Sequence, residues 1–350
     1  MRCYEQQHRF YCGVDLHART MYVCILDQQG QVQFHDHLPA DPERFLETLQ
    51  PFRDDVVVCC ECMFAWYWLA DLCADQGIPF VLGHALYMKA IHGGKTKNDR
   101  IDAQKIAKLL RGGNIPLAYV YPQGMRETRD LLRRRMYLVH QRAAAMAHIQ
   151  NTNSQYNQPP FGKKIDRASN REALQIPQRF ADERVQKTLE VDLELLDHLD
   201  GQIKRLEWYL QKAAQVQDGN TLLRLRSIPG VGPILSLVLL YEIHDIGRFE
   251  KVGQFLSYCR LVRPQHESNG KTKTGVGKKK IGNPHLRWAF AEAVLLMLRR
   301  DERAQKCKAR LEKKHGKAKA LGILAAKLAR AVYFMLKNEA VFDAERFFAA

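Results

Sequence analysis

Val56-Val57-Val58-Cys59-Cys60, closed by Glu61, is the segment that most narrows the folds open to this chain. Five consecutive apolar residues, three of them β-branched, fit a central strand covered on both faces. Such a strand belongs in a sheet with helices packed above and below it. It ends on an acid, and a carboxylate beside so apolar a run costs desolvation energy unless a cation or a hydrogen-bond donor meets it.

Around this strand the pattern is that of an α/β domain. Tyr11 to Leu16, Met21 to Asp27 and Gln31 to His37 read as three short strands, the last two joined at Gln28-Gln29-Gly30. A helix is expected after Asp41, with Asp41 as N-cap and Pro42 at the first helical position. A helix near Ala65 to Gln76, a strand at Phe80 to Gly83 and a helix from about Asn98 to Arg111, stopped by Gly112-Gly113, complete the set. An antiparallel group followed by strands alternating with helices describes a ribonuclease-H-like (RuvC-like) α/β domain over residues 1–122.

Four acids fall where this domain could bring them together. Asp15 sits in Gly13-Val14-Asp15-Leu16, inside an otherwise apolar strand, and Glu61 ends the run described above. Asp99 and Asp102 are three residues apart at a helix start and share one face. Each has an ordinary structural alternative: Asp99 could favour the helix N-terminus, and Asp102 could pair with Lys105 or Arg100. Together they form a candidate catalytic and metal-ligating set, for which Mg²⁺, bound through a few carboxylates and substrate phosphate, is the suitable ion.

Charge points to the substrate. Lys and Arg number 54 against 38 Asp and Glu, a formal net charge of +16 that biases the protein towards polyanions. A membrane surface is the competing polyanion. No apolar run reaches the roughly 18 residues of a spanning helix, and Met1 to Phe10 lacks the apolar core of a signal peptide. Nucleic acid in the cytoplasm is the expected partner. The nine cysteines lack zinc-ribbon spacing and read as reduced, mostly buried thiols. Neither Gly94-Lys95-Thr96 nor Gly270-Lys271-Thr272 is a nucleotide loop, because Lys89 and Gln265 stand where a P-loop needs its first Gly.

The rest of the chain reads as helical. Met125 to about Gln155 carries Arg133 and Arg134 among six arginines, and Pro159-Pro160 breaks it. A second long helix, about Asp182 to Gln217, bears a stripe of Leu189, Leu193, Leu196, Leu199, Ile203, Leu206 and Leu210. Its spacing is coiled-coil-like but slips once, so it could seal an intramolecular hairpin or a dimer seam. These helices form an arm over residues 123–220. Residues 221–350 form a mostly helical C-terminal domain. In it, Ile228-Pro229-Gly230-Val231-Gly232-Pro233 suits a helix-hairpin-helix in which Gly230 and Gly232 let a phosphate approach backbone N–H groups. Arg263 to Lys280 is expected to be a flexible loop bearing one serine, Ser268. Its Lys271, Lys273, Lys278, Lys279 and Lys280 are candidates to grip phosphates, as are Arg133 and Arg134. It is no hydrolase elbow, since His266 occupies the position of the first Gly.

In this order, Gly13-Val14-Asp15, strand-end Glu61, Lys95 to Ala103, the turn at 228–233 and the loop Pro264 to Lys271 resemble the DEDD-type insertion-sequence transposases, the bridge-RNA-guided recombinase family. The resemblance spans nearly the whole chain. The family's loop usually runs Gln-His-Ser-Ser-Gly-Gly-Lys; here Glu267 and Asn269 depart from it, while Ser268 keeps the second serine and is the last serine in the chain. The resemblance implies that Asp15, Glu61, Asp99 and Asp102 position Mg²⁺ while Ser268 attacks a phosphodiester. It further implies a dimer or tetramer, donor and target DNA as substrates, and a noncoding bridge RNA that pairs with both. Two rivals remain open at this point: a RuvC-like nuclease that uses water, with Ser268 incidental, and an inactive nucleic-acid-binding protein.

Overall fold

The computed structural model describes residues 2–91, 98–213, 219–262, 265–269, 271–274 and 281–349. The chain divides into two compact units, Met1–Gln123 and Gly124–Ala350.

The first unit is built on a five-stranded mixed sheet of order β3-β2-β1-β4-β5. β1 (Phe10–Leu16) runs antiparallel to β2 (Thr20–Asp27), which pairs antiparallel with β3 (Val32–Pro39). On its other side β1 is parallel to β4 (Val56–Glu61), and β4 to β5 (Phe80–Gly83). Strand alternation deals the side chains to two faces. Cys12, Val14, Val58 and Cys60 pack with Phe45 and Leu49 of α1 (Pro42–Leu49) and with Leu69 and Cys73 of α2 (Trp66–Asp75). Tyr11, Val57 and Cys59 point the other way, onto Ile106, Leu109 and Leu110 of α4 (Asp99–Arg111), which follows the short α3 (Ala85–Ile91). The run at 56–60 is therefore buried on both faces, as its composition requires. Burial also pushes the thiols of Cys12, Cys59 and Cys60 far above their ordinary range, in keeping with their place in the core.

Among its described residues the second unit is helical apart from one small hairpin. α5 (Arg126–Gln155) lies against α7 (Glu183–Ala213), with α6 (Ala168–Leu174) between them in sequence. Arg135 meets Glu207, Arg142 meets Asp200 and His148 meets Asp192, a falling register that makes the two long helices antiparallel. Leu189 and Leu196 are buried with Ala145 and Ile149 of α5, and Leu210 with Leu132. Of the two sequence alternatives, then, the leucine stripe seals an intramolecular hairpin. Beyond it come α8 (Gly219–Arg226), α9 (Pro233–Ile243) and α10 (Val252–Tyr258). After β6 (Gln265–Ser268) and β7 (Lys271–Thr274) follow α11 (Pro284–Leu298), α12 (Glu302–His315), α13 (Lys317–Lys337) and α14 (Ala344–Ala349). α9 is buried on every side from Leu235 to Ile243, so it forms the centre of this unit's core. Among the described residues no helix is long and apolar enough to cross a membrane.

Candidate active site

The geometry of the acids begins with Gly13. A Cβ on this residue would stand 2.4 Å from both Ala103 O and Ala107 N, so α4 lies directly on the backbone of β1. The approach needs small residues on both sides: Gly13 on the strand, and Ala103 and Ala107 one turn apart on the helix, both fully buried. Asp99 continues the helix stripe one turn earlier, and Asp15 continues the strand face two residues later. The side chains of Asp15, His17 and Asp99 accordingly converge, with one ligand atom from each lying within 4.8 Å of the others. His17 Nε2 is 3.5 Å from Asp15 Oδ2 and 3.5 Å from Asp99 Oδ2. Asp15 is the most enclosed of the three, its side chain 17% exposed against 49% for His17 and 55% for Asp99. Asp99 does not cap its helix; Asn98 does, accepting from Arg100 N at 2.9 Å.

The other two predicted acids lie close by in the fold but outside that group. Glu61 is one step past the last β1–β4 pair, Val14↔Cys60, and alternation after Val57 and Cys59 puts it on the α4 face with Asp15. Asp102 bonds to Lys105 Nζ at 3.1 Å, the ordinary pairing open to it from sequence. The structure thus draws Asp15 and Asp99 together around a histidine that the sequence reading missed. Its signal was available: Gly13, Asp15 and His17 alternate along one strand face. Two carboxylates from separate elements with an imidazole beside them suit a divalent cation.

Ser268 lies on the second unit, where the structure corrects an expectation. The segment read as a flexible loop contains a two-stranded antiparallel hairpin, Gln265↔Thr274 to Ser268↔Lys271. Asn269-Gly270 is the turn chemistry that favours such a closure, and Asn269 has φ +51°. Ser268 is the last residue of β6 at the tip, and Lys271 is its cross-strand partner; Lys273 pairs with His266. Lys278, Lys279 and Lys280 lie outside the described residues.

The root of this hairpin is held tightly. Arg260, itself at φ +56°, donates from Nε to the carbonyls of Ile281 (2.9 Å) and Gly282 (3.0 Å). Asn283 N donates to Tyr258 O at 2.6 Å. Gly282, at φ +93°, comes so close to the end of α10 that a Cβ would meet Tyr258 O at 2.6 Å. Asn283 has two tasks. Its Oδ1 caps α11 by accepting from His285 N and Leu286 N, while its Nδ2 donates to Glu242 Oε2 at 2.8 Å. Glu242, 1% exposed on α9, also accepts two bonds from Arg133 (2.7 and 2.9 Å) and one from Arg129 (3.2 Å). Burial pushes its pKa up, but the Arg133 bond and charge, with Arg129 and Asn283, outweigh it and hold the carboxyl down at about 2.

The remaining predicted contacts divide by surroundings. Arg133 is committed to Glu242, whereas the Arg134 guanidinium lies over the Tyr137 ring, 5.1 Å from its centroid. Gly230, at φ +87°, leaves no room for a Cβ because Met297 N would be 2.6 Å away; the glycine serves packing against α11. Gly232, the N-cap residue of α9, has open space where a Cβ would stand.

The profile described as "Transposase IS116/IS110/IS902 family" matches residues 222–309, and that of the DEDD-type IS110 transposases matches residues 12–157. The "Transposase for insertion sequence element IS1111A" of Coxiella burnetii is 26% identical over 338 residues, covering 93% of this chain and 89% of that protein. The "Probable family 20 transposase" of Pseudomonas aeruginosa is 24% identical over 337 residues, covering 93% and 96%. The chain belongs to the IS110/IS116 family of insertion-sequence transposases, whose members act on DNA.

Proposed function

We propose that this transposase cuts and rejoins DNA through Ser268, with Asp15, Asp99, Glu61 and Asp102 serving as a Mg²⁺-binding set and His17 beside them. The convergence of Asp15, His17 and Asp99 carries the reading, because a cation held there would relieve the repulsion between the two carboxylates. A divalent ion held there would neutralise the non-bridging oxygens of a phosphodiester. The Ser268 oxygen attacks phosphorus; a serine–phosphate bond forms, the bond to one strand oxygen breaks, and that oxygen takes up a proton as a free hydroxyl. Attack by a hydroxyl on the phosphoserine reverses the step, so rejoining needs no ATP. The acids and Ser268 lie on different compact units; in this reading the protein acts as a homo-oligomer, a dimer or tetramer, on donor and target DNA. In this reading residues 1–122 carry the acids, 123–220 the arm and 221–350 the serine, and Lys271, Lys273 and Lys278 to Lys280 grip the backbone. A bridge RNA would read sequence by pairing, leaving shape and phosphate to the protein.

Asp15→Asn and Asp99→Asn are expected to lower Mg²⁺-dependent cleavage at least about a hundredfold, equivalent to about 3 kcal/mol. Both variants should keep DNA affinity within about threefold, since the lost carboxylates repel phosphate. Cleavage within about twofold of wild type in both would overturn the assignment. Sequencing RNA that copurifies with the protein, and testing strand exchange with it added, addresses the guide.

A further inference from the structure

The strongest charge pattern outside the proposed site lies at the α12–α13 corner. Residues 302–319 contain eight Lys or Arg (303, 306, 308, 310, 313, 314, 317 and 319) against two acids, Glu302 and Glu312. The DNA-family match over this part of the chain ends at residue 309, so most of the corner lies beyond it. α12 buries Ala304 and Cys307 against the core, and Lys306, Arg310, Lys313 and Lys314 follow on the exposed side at helical spacing. Lys317 and Lys319, also exposed, extend the charge into the first turn of α13.

Three observations separate this face from an ordinary solvated helix. Two nearby carboxylates are already engaged: Glu312 bonds Lys308 at 2.9 Å and Asp301 bonds Arg303 at 3.0 Å, both off the row, which leaves Glu302 as the one acid facing eight cations. Among the described residues, Lys306, Lys313, Lys314, Lys317 and Lys319 have no ion-pair partner. The placement also opposes fold stability at one end, because cations in a helix's first turn are disfavoured by its dipole, and α13 has no acid there to offset them. Finally, residues 302–319 include no Phe, Tyr or Trp on which an unstacked base could rest.

We propose that this corner binds the phosphate backbone of duplex DNA, as a second contact surface separate from the serine hairpin. A row of ammonium groups without aromatic platforms matches a regular duplex backbone better than a single strand. DNA is the polyanion on which the family acts. The surface holds the duplex without reading sequence, because point charges on phosphates position but do not specify. The inference does not depend on Ser268 chemistry.

The test is the salt dependence of binding by the full-length protein to a labelled duplex DNA, followed by fluorescence anisotropy. Lys306→Gln, Lys313→Gln, Lys314→Gln and Lys317→Gln combined should reduce the slope of log K against log salt by about 3 to 4, at about 0.9 per lost phosphate contact. Affinity near 0.1 M salt should fall more than about tenfold. The four corresponding Lys→Arg changes should preserve both values, since they keep the charge. A slope unchanged within about 0.5 in the Gln variant overturns the proposal, as does a Lys→Arg variant that loses as much as the Gln variant. An RNA duplex of the same length forms the second arm, and a loss confined to RNA also overturns it.

Discussion

Gly13→Ala is expected to destabilise the first unit by about 2 to 3 kcal/mol and to weaken Mn²⁺ binding about tenfold or more. The added methyl would meet Ala103 O and Ala107 N at 2.4 Å, and both are helix backbone atoms that no side-chain rotation can move aside. α4 must shift as a body, and Asp99 rides on its first turn. The movement therefore opens the gap between Asp99 and Asp15, which now meet through His17 at 3.5 Å on either side. Trimming the helix side chain should not rescue the variant: Gly13→Ala with Ala107→Gly leaves the backbone clash in place. Calorimetric Mn²⁺ titration and hydrogen exchange of the α4 amides are the measurements. Wild-type affinity together with wild-type protection of α4 would show that close strand–helix contact does not build the site.

Glu242→Leu should be the more damaging change to the second unit, costing about 3 to 5 kcal/mol, because it leaves Arg129 and Arg133 charged without their shared buried acceptor. It also removes the acceptor for Asn283 Nδ2 at the root of the serine hairpin. If the network is a buried ion cluster, Glu242→Leu combined with Arg129→Met and Arg133→Met recovers most of the lost stability, since apolar groups of similar size often replace such clusters without penalty. The carboxyl is held down at about 2, below its ordinary value near 4.5. A depressed carboxylate contributes stability that is fully present above its unfolded pKa and is lost as pH falls through the folded one. The wild type should thus lose stability between about pH 4.5 and pH 2, by something on the order of 3 kcal/mol, and the triple variant should lack that part of the loss. Denaturant midpoints measured by circular dichroism across this range decide the matter. Equal midpoints for Glu242→Leu and wild type at neutral pH would remove the network from the account.

What the sequence disclosed and what it concealed follow from the range of the forces involved. β4 and β5 could be read from their residues because a strand buried on both faces has little choice of composition. α4 announced itself through Asn98 at its start and Gly112-Gly113 at its end, and the structure caps it on Asn98. The meeting of Asp15 with Asp99 was a matter of inference, because it rests on Gly13 accepting two helical alanines from some 90 residues away. His17 went unremarked because a lone histidine after a strand carries no local signature, although its two-residue step from Asp15 placed it on the acid face. Lysine density suggested a flexible loop around Ser268, yet Asn269-Gly270 between alternating residues was a hairpin signal of equal strength. Glu242 was hidden at the end of the apolar run of α9, and the arginines of α5 together with Asn283 stabilise a charge there.

Mass-spectrometric mapping of a trapped protein–DNA adduct tests the central claim most directly. With Mg²⁺, cleavable DNA and copurified RNA supplied, the account predicts a nucleotide phosphate on the peptide containing Ser268, lost in Ser268→Ala and in Asp15→Asn. Strand cleavage at the wild-type rate by Ser268→Ala, with no modified peptide from wild type, would contradict it and leave a water-using nuclease in its place.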